Sequence, residues 1–166
     1  MLNTGLAALI ANISDKPARY AELITQWRAV TDGESDLIAN LANTTALVRT
    51  ALPQASWVGF YIMRQGELVL GPYQGNVACV RITLDRGVCG AAARTKAVQL
   101  VPDVEQFPGH IACDAGSRSE VVVPVMRHGE VVAVLDVDSY DLAAFDQQDA
   151  DGLTEVARCC AELAGW

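Results

Sequence analysis

The chain has 166 residues, 51% of them hydrophobic, and twenty acidic against twelve basic side chains give a formal net charge of −8. That length suits one domain with its own core and is short for two, and the hydrophobic share excludes a disordered chain. The acidic balance excludes the basic surface that nucleic acid or an anionic membrane needs, but not a small ligand carrying an ammonium group.

No apolar run reaches the roughly 20 residues that span a bilayer. The opening "MLNTGLAALIANISDKPARY" has no basic n-region and no cleavage site of a secretory signal, so a cytoplasmic location is expected. "KPARYAELITQWRAVTDGES" predicts a helix, with Pro17 near its start and Gly33 after its end. "ESDLIANLANTTALVRTALP" predicts a second, with Leu37, Leu41, Leu47 and Val48 on one face and Pro53 as its stop. "SWVGFYIM" has the β-branched and aromatic content of a buried strand, "RQG" is a turn, and "ELVLGPY" returns as the hairpin partner. "ACVRITL" reads as another strand, and "DRGVCGAAARTKA" ends it by opening a short helix of small residues. "VQLV" is brief and extended, and residues 102–118 form a loop longer than most connections, as functional loops often are. "SEVVVPVMRHGEVVAVLDVDSY" is a hairpin around "RHGE", and "FDQQDADGLTEVARCCAELAGW" is a helix with Leu153, Val156, Cys160 and Leu163 as its apolar stripe. Helices at both ends of a mainly antiparallel sheet make an α+β domain. The expected segments are helical over 17–52, sheet and loops over 56–138, and a closing helix over 146–164, in one domain over 1–166.

An odd number of cysteines (Cys79, Cys89, Cys113, Cys159 and Cys160) does not read as a disulfide scaffold. No spacing is C-x-x-C, and His110 and His128 do not pair with cysteines as zinc ligands do, so no metal is expected. Cys159 and Cys160 read as packing. Cys79, among Ala78, Val80 and Ile82, reads as strand filler when taken alone. Cys89 falls in the first turn of a helix, where the macrodipole and free amides favour a thiolate; packing is the alternative. Cys113 stands apart. It sits in "FPGHIACDAGSR", which makes no periodic apolar face, and its small neighbours allow a ligand to approach the backbone. An unperturbed thiol is only a few per cent thiolate at neutral pH, so a nucleophile there needs help, and His110 is near enough in sequence to give it.

In "VVAVLDVDSY" the side chains alternate, so Asp136 and Asp138 share a face, and Glu120 opens the neighbouring strand. Carboxylates at the end of an apolar strand are costly to bury unless paired, protonated or bound to a cation. The alternative is that they extend past the sheet edge into water. If they converge, repulsion and burial raise at least one pKa, leaving a proton donor beside an anion that can hold an ammonium group. Trp57 and Tyr61 would add an aromatic wall. Such a set suits reduction of a sulfoxide, whose oxygen must be protonated before a thiolate can attack the sulfur. The thiol becomes a sulfenic acid, and a second thiol then closes a disulfide.

The stretch "WVGFYI…ELVLGPYQGNVACVRITLDRGVCGAAARTK…VPDVEQFPGHIACDAGSRSEVVVPV…GEVVAVLDVDS…FDQQDADGL" resembles the free methionine-(R)-sulfoxide reductases, which are built on a GAF domain. The likeness runs over about residues 17–164, with "GVCG", "GHIACD" before "SEVVVPV", and "LDVDS" as its specific elements. The resemblance implies Cys113 as the nucleophile, Cys79 as the resolving thiol and Cys89 as a further redox-active partner. It implies Glu120 and Asp138 near the sulfoxide oxygen, Asp136 on the substrate ammonium, and Trp57 and Tyr61 around the methyl group. It also implies free methionine-(R)-sulfoxide as substrate, thioredoxin as reductant, no cofactor and a homodimer. The competing readings are an effector-binding GAF module and a thiol redox sensor.

Overall fold

The computed structural model describes residues 10–111 and 113–166. Residues 1–9, where the apolar N-terminal stretch and the expected domain begin, and Ala112, the neighbour of Cys113, lie outside the described residues. Among the described residues no helix is long and apolar enough to cross a membrane.

The elements are α1 (Lys16–Thr31), α2 (Leu37–Ala51), β1 (Trp57–Arg64), β2 (Glu67–Gln74), β3 (Arg81–Ile82), α3 (Gly87–Thr95), β4 (Gln99–Val101), β5 (Ser119–Arg127), β6 (Glu130–Ser139) and α4 (Gln147–Ala161). Three helices start at an aspartate whose carboxylate accepts from backbone N–H groups one turn on. These are Asp15 for α1, Asp36 for α2 and Asp146 for α4, the last in a reciprocal capping box with Asp149. The strands form one six-stranded sheet, every pair antiparallel, in the order β3-β2-β1-β6-β5-β4. The α+β expectation holds.

Alternation along the strands sorts their side chains onto two faces. Val58, Phe60, Ile62, Val121, Val123, Val125, Ala133, Leu135 and Val137 pack against α1, α2 and α4, where Leu23, Trp27, Leu41, Val48, Leu153, Val156 and Cys160 complete the main core. Trp57, Tyr61, Val122 and Val134 face the other way, toward α3 and the long loop, where Val88, Cys89, Ala92 and Val104 form a smaller core. Glu120, Asp136 and Asp138 share the parity of that second face. A one-residue slip of β6 would drive both aspartates into the three-helix core, so burial of one face fixes where the acids stand.

One strand is shorter than expected. "ACVRITL" contributes only Arg81 and Ile82 to the sheet, and Cys79 lies in a loop over residues 75–80. Besides the bond from Leu70 N to the Val80 carbonyl at 2.9 Å, that loop is held by side chains. Tyr61 donates to the Cys79 carbonyl at 3.1 Å, and the Cys79 side chain is in a disulfide. These ties replace the ladder bonds a longer strand would have made.

Candidate active site

The acids come together through strand register. Glu120 of β5 stands opposite Asp138 of β6, Val122 opposite Asp136, and across β1 Gly59 pairs with Asp136 and Trp57 with Asp138. Oxygen atoms of Glu120, Asp136 and Asp138 all lie within 4.8 Å of one another. Glu120 and Asp136 are buried and Asp138 is half-buried. Burial pushes the Asp136 carboxyl well above the usual carboxylate range, and the charge of Glu120 pushes it further. Asp138 is raised by burial, then by Asp136 and Glu120. Like charges this close cannot all ionise in a low dielectric, so the cluster retains a proton at neutral pH. Oxygen donors of this kind suit a hard divalent cation, and equally an ammonium group.

Cys79 and Cys113 are joined by a disulfide, with Cα atoms 5.2 Å apart. A cavity of about 30 Å³ lies between α3, the long loop and the sheet, and Cys113, Glu120, Asp136 and Asp138 all line it. A second, of about 20 Å³, lies between Trp57, Tyr61 and the same two aspartates, again with Cys113 in its wall. Cys113 thus separates two small spaces over one acidic floor. The residues singled out from the sequence converge. A wider groove of about 470 Å³, between Pro17, Tyr20 and Ile24 of α1 and Gly152 of α4, has only exposed polar groups at its rim. It brings no nucleophile.

Cys89 packs against the acids. It lies in the first turn of α3 and is buried, and its thiol donates to Asp136 Oδ2 at 3.2 Å. Burial pushes the thiol well above its ordinary value, with Asp136 and Glu120 adding to the rise. The helix N-terminus favours a thiolate, but desolvation and two carboxylates outweigh it. Cys89 is a protonated donor. Cys159 and Cys160 are buried in the main core, as expected.

His110 finds a different partner from the one its spacing suggested: its Nε2 lies 3.7 Å from Glu120 Oε2. Three features had no sequence signal strong enough to single them out. Ser117 Oγ, in the cavity wall, and Asp136 Oδ1 are both buried without a hydrogen-bond partner. Buried polar atoms are usually paired, so each stands ready for a group that enters the cavity. Tyr73 stacks on Trp57 at 5.4 Å between ring centroids, and Tyr61 stacks there at 5.9 Å. Finally, Asp114 accepts from the Tyr140 hydroxyl at 2.8 Å and from Gly116 N at 2.9 Å, while Asn76 Nδ2 donates to the Tyr140 hydroxyl at 2.9 Å. This polar knot ties the Cys79 loop, the Cys113 loop and the end of β6 together.

Two glycines are required by this geometry. A side chain on Gly59 would meet the Trp57 ring at 2.2 Å and Tyr73 Cβ at 2.6 Å, so the aromatic wall exists because β1 has no side chain there. Gly87 opens α3 at φ +72°, donates to the Gly109 carbonyl at 2.9 Å, and sets Cys89 under the loop.

A family profile described as the GAF domain matches residues 25–163. Protein YtsP of Bacillus subtilis is 49% identical over 145 residues, which are 86% of this chain and 89% of that protein. The free methionine-R-sulfoxide reductase of Escherichia coli is 44% identical, over 86% of each chain. The structure of the free methionine-R-sulfoxide reductase of Neisseria meningitidis in complex with its substrate superposes with a TM-score of 0.87, at 46% identity over 91% of each chain.

Proposed function

The chain belongs to the GAF-domain family that contains the free methionine-R-sulfoxide reductases, and from that premise we propose that it reduces free methionine-(R)-sulfoxide to methionine. The observation that carries this reading is the Cys79–Cys113 disulfide, with Cys113 in the wall of a cavity floored by Glu120, Asp136 and Asp138.

In this reading the substrate ammonium sits on Asp136, whose Oδ1 has no other partner and whose Oδ2 is held by the Cys89 thiol. The S-methyl group lies toward Trp57 and Tyr61. Glu120 and Asp138, directly opposite each other across β5 and β6, share the proton that goes to the sulfoxide oxygen. That proton makes the oxygen a leaving group and the sulfur an electrophile. The Cys113 thiolate attacks; methionine departs with two more electrons, and the oxygen remains on Cys113 as a sulfenic acid. The Cys79 thiolate then attacks Cys113 Sγ. Water leaves and the disulfide forms. Over the cycle one sulfoxide and two thiols give one thioether, one disulfide and one water.

The cycle needs an external dithiol to return both cysteines to thiols. We assign that role to thioredoxin, which places the reaction in the reducing cytoplasm. The family resemblance further leads us to propose a homodimer, which sedimentation of the purified chain would test.

The assay is purified protein with thioredoxin, thioredoxin reductase and NADPH, supplied separately with the R and S diastereomers of free methionine sulfoxide. NADPH oxidation with R alone is expected. Equal turnover of both diastereomers would overturn the proposal. A redox sensor or an effector-binding module would leave the sulfoxide unconsumed.

A further inference from the structure

We propose that Val77 and Val80, the exposed aliphatic side chains that bracket Cys79, form the docking surface for the dithiol protein that reduces this enzyme, and that Cys79 is the sulfur that protein attacks. The proposal rests on the redox cycle of the preceding section. It adds the surface, the chemistry of the partner and the point of attack.

Among the described residues the exposed large hydrophobic side chains are Ile38, Val77, Val80, Tyr140 and Leu142. Val77 is 83% exposed and Val80 66%, and both belong to the short loop that carries Cys79; Val77 also edges the smaller cavity beside Trp57 and Tyr61, and Val80 edges neither cavity. Tyr140 is joined to that loop through Asn76 and to the Cys113 loop through Asp114, so its exposed ring belongs to the same rim. Single apolar residues scattered over a surface need no explanation. Their gathering around one redox-active bond does, and it marks an interaction site. The loop is not loose: the Tyr61 hydroxyl, Asn76 and the disulfide fix it with the valines outward.

The two sulfurs are not equivalent. Cys113 is in the wall of both cavities, and Cys79 is in the wall of neither. Both cysteines are half-buried, but Cys79 is the one flanked by the exposed Val80 and turned away from the cavities, so we assign it as the sulfur that an incoming thiolate meets. That thiolate attacks Cys79 Sγ, the Cys79–Cys113 bond breaks, and Cys113 leaves as a thiolate on the side of the acid cluster, which holds a proton for it. The partner's second thiolate then attacks the partner's own sulfur in the mixed disulfide. Cys79 is released as a thiolate and takes a proton. The partner ends as a disulfide and this chain as a dithiol, two electrons having passed.

Such a partner must bring its thiol against two valines and a tyrosine ring, so the surface around that thiol has to be small and apolar. With a net charge of −8, this chain offers an acidic partner no long-range attraction. Contact must come from the apolar rim.

The test compares two reductants on the wild-type protein and on V80S, since Val80 lines neither cavity. With thioredoxin, kcat/KM for the reductant should fall about tenfold or more, the loss expected when a small apolar hot spot is removed. With dithiothreitol, which needs no docking surface, turnover should be unchanged, and V80I should restore the thioredoxin rate. An unchanged thioredoxin rate, or an equal loss with both reductants, would overturn the proposal. So would a change in sedimentation mass, which would make the patch an interface between copies. Release of one methionine per pre-reduced protein, measured without any reductant, tests the underlying reaction separately.

Discussion

Tyr61 donates its phenolic O–H to the backbone carbonyl of Cys79, 3.1 Å away, while its ring forms part of the wall beside the acids. One residue thus shapes the wall beside the acids and fixes the loop that carries Cys79. Tyr61→Phe keeps the ring and loses the tie. A hydrogen bond of this kind has a net worth of about 1 kcal/mol, so disulfide closure should slow about fivefold. The burst of methionine from pre-reduced protein should keep its amplitude. Rapid-quench measurement of methionine release and thiol loss separates the two steps.

Cys113→Ser should abolish methionine formation under every reductant. Cys79→Ser should release about one methionine per chain and then stall with thioredoxin, because the sulfenic acid has lost its partner. Counting methionine against enzyme, with trapping of the sulfenic acid by dimedone, checks both. Sustained cycling in Cys79→Ser would assign resolution to another thiol.

Cys89→Ala removes the donor that holds Asp136 Oδ2, a bond that favours the ionised carboxylate. Without it Asp136 is protonated more readily and holds the substrate ammonium less well. KM for the sulfoxide should rise about fivefold, the worth of one hydrogen bond, with thioredoxin-linked cycling intact. Cys89→Ser retains a donor and should restore KM. If Cys89→Ala stalls after one turnover, Cys89 is a redox partner after all.

The acid cluster also sets how stability depends on pH. Asp136 and Asp138 bind protons more tightly in the folded protein than in the unfolded chain, which releases them above pH ~4. From there up to the raised folded values the native state binds more protons, so stability is greatest on the acid side and falls as pH rises. Asp114 and Asp146, which are lowered, act in the opposite direction but are largely exposed and contribute little. Asp136→Asn should therefore be more stable than wild type at pH 7.5, by about 1–3 kcal/mol. The gap should close toward pH 4.5. Thermal melts across this range test the sign, and the variant should have lost activity.

Gly59→Ala sets a methyl group against the Trp57 ring and Tyr73 Cβ, both closer than 3 Å. Overpacking of this kind costs about 1–3 kcal/mol. Displacement of the indole should also raise KM for the sulfoxide. A melt, with tryptophan fluorescence to follow the ring, measures both.

The helices, the two hairpins and the common face of Asp136 and Asp138 are legible in the sequence, because each follows from local spacing. Alternation put Asp136 and Asp138 together, and only the pairing of β5 with β6 added Glu120 opposite Asp138. What local reasoning missed depends on distant segments. For Cys89 the sequence leaves thiolate and packing both open, because its helix is visible while the carboxylates that push its pKa up come from strands far along the chain. Cys79 reads as strand filler because Ala78, Val80 and Ile82 are apolar; in the fold Val80 is turned to solvent and Cys79 lies in a loop tied down by Tyr61. Ser117 and Tyr73 gave no signal, since a hydroxyl without a partner is defined only by what surrounds it.

The cavity beside the disulfide, at about 30 Å³, has room for about two water-sized molecules. A whole amino acid does not fit there, so on the proposed cycle the sulfoxide is expected to bind only after the disulfide has been reduced. Sulfoxide and reductant therefore take strict turns, and neither can crowd out the other. Steady-state plots at several reductant levels should be parallel lines, with throughput governed by the supply of reducing equivalents once sulfoxide is plentiful.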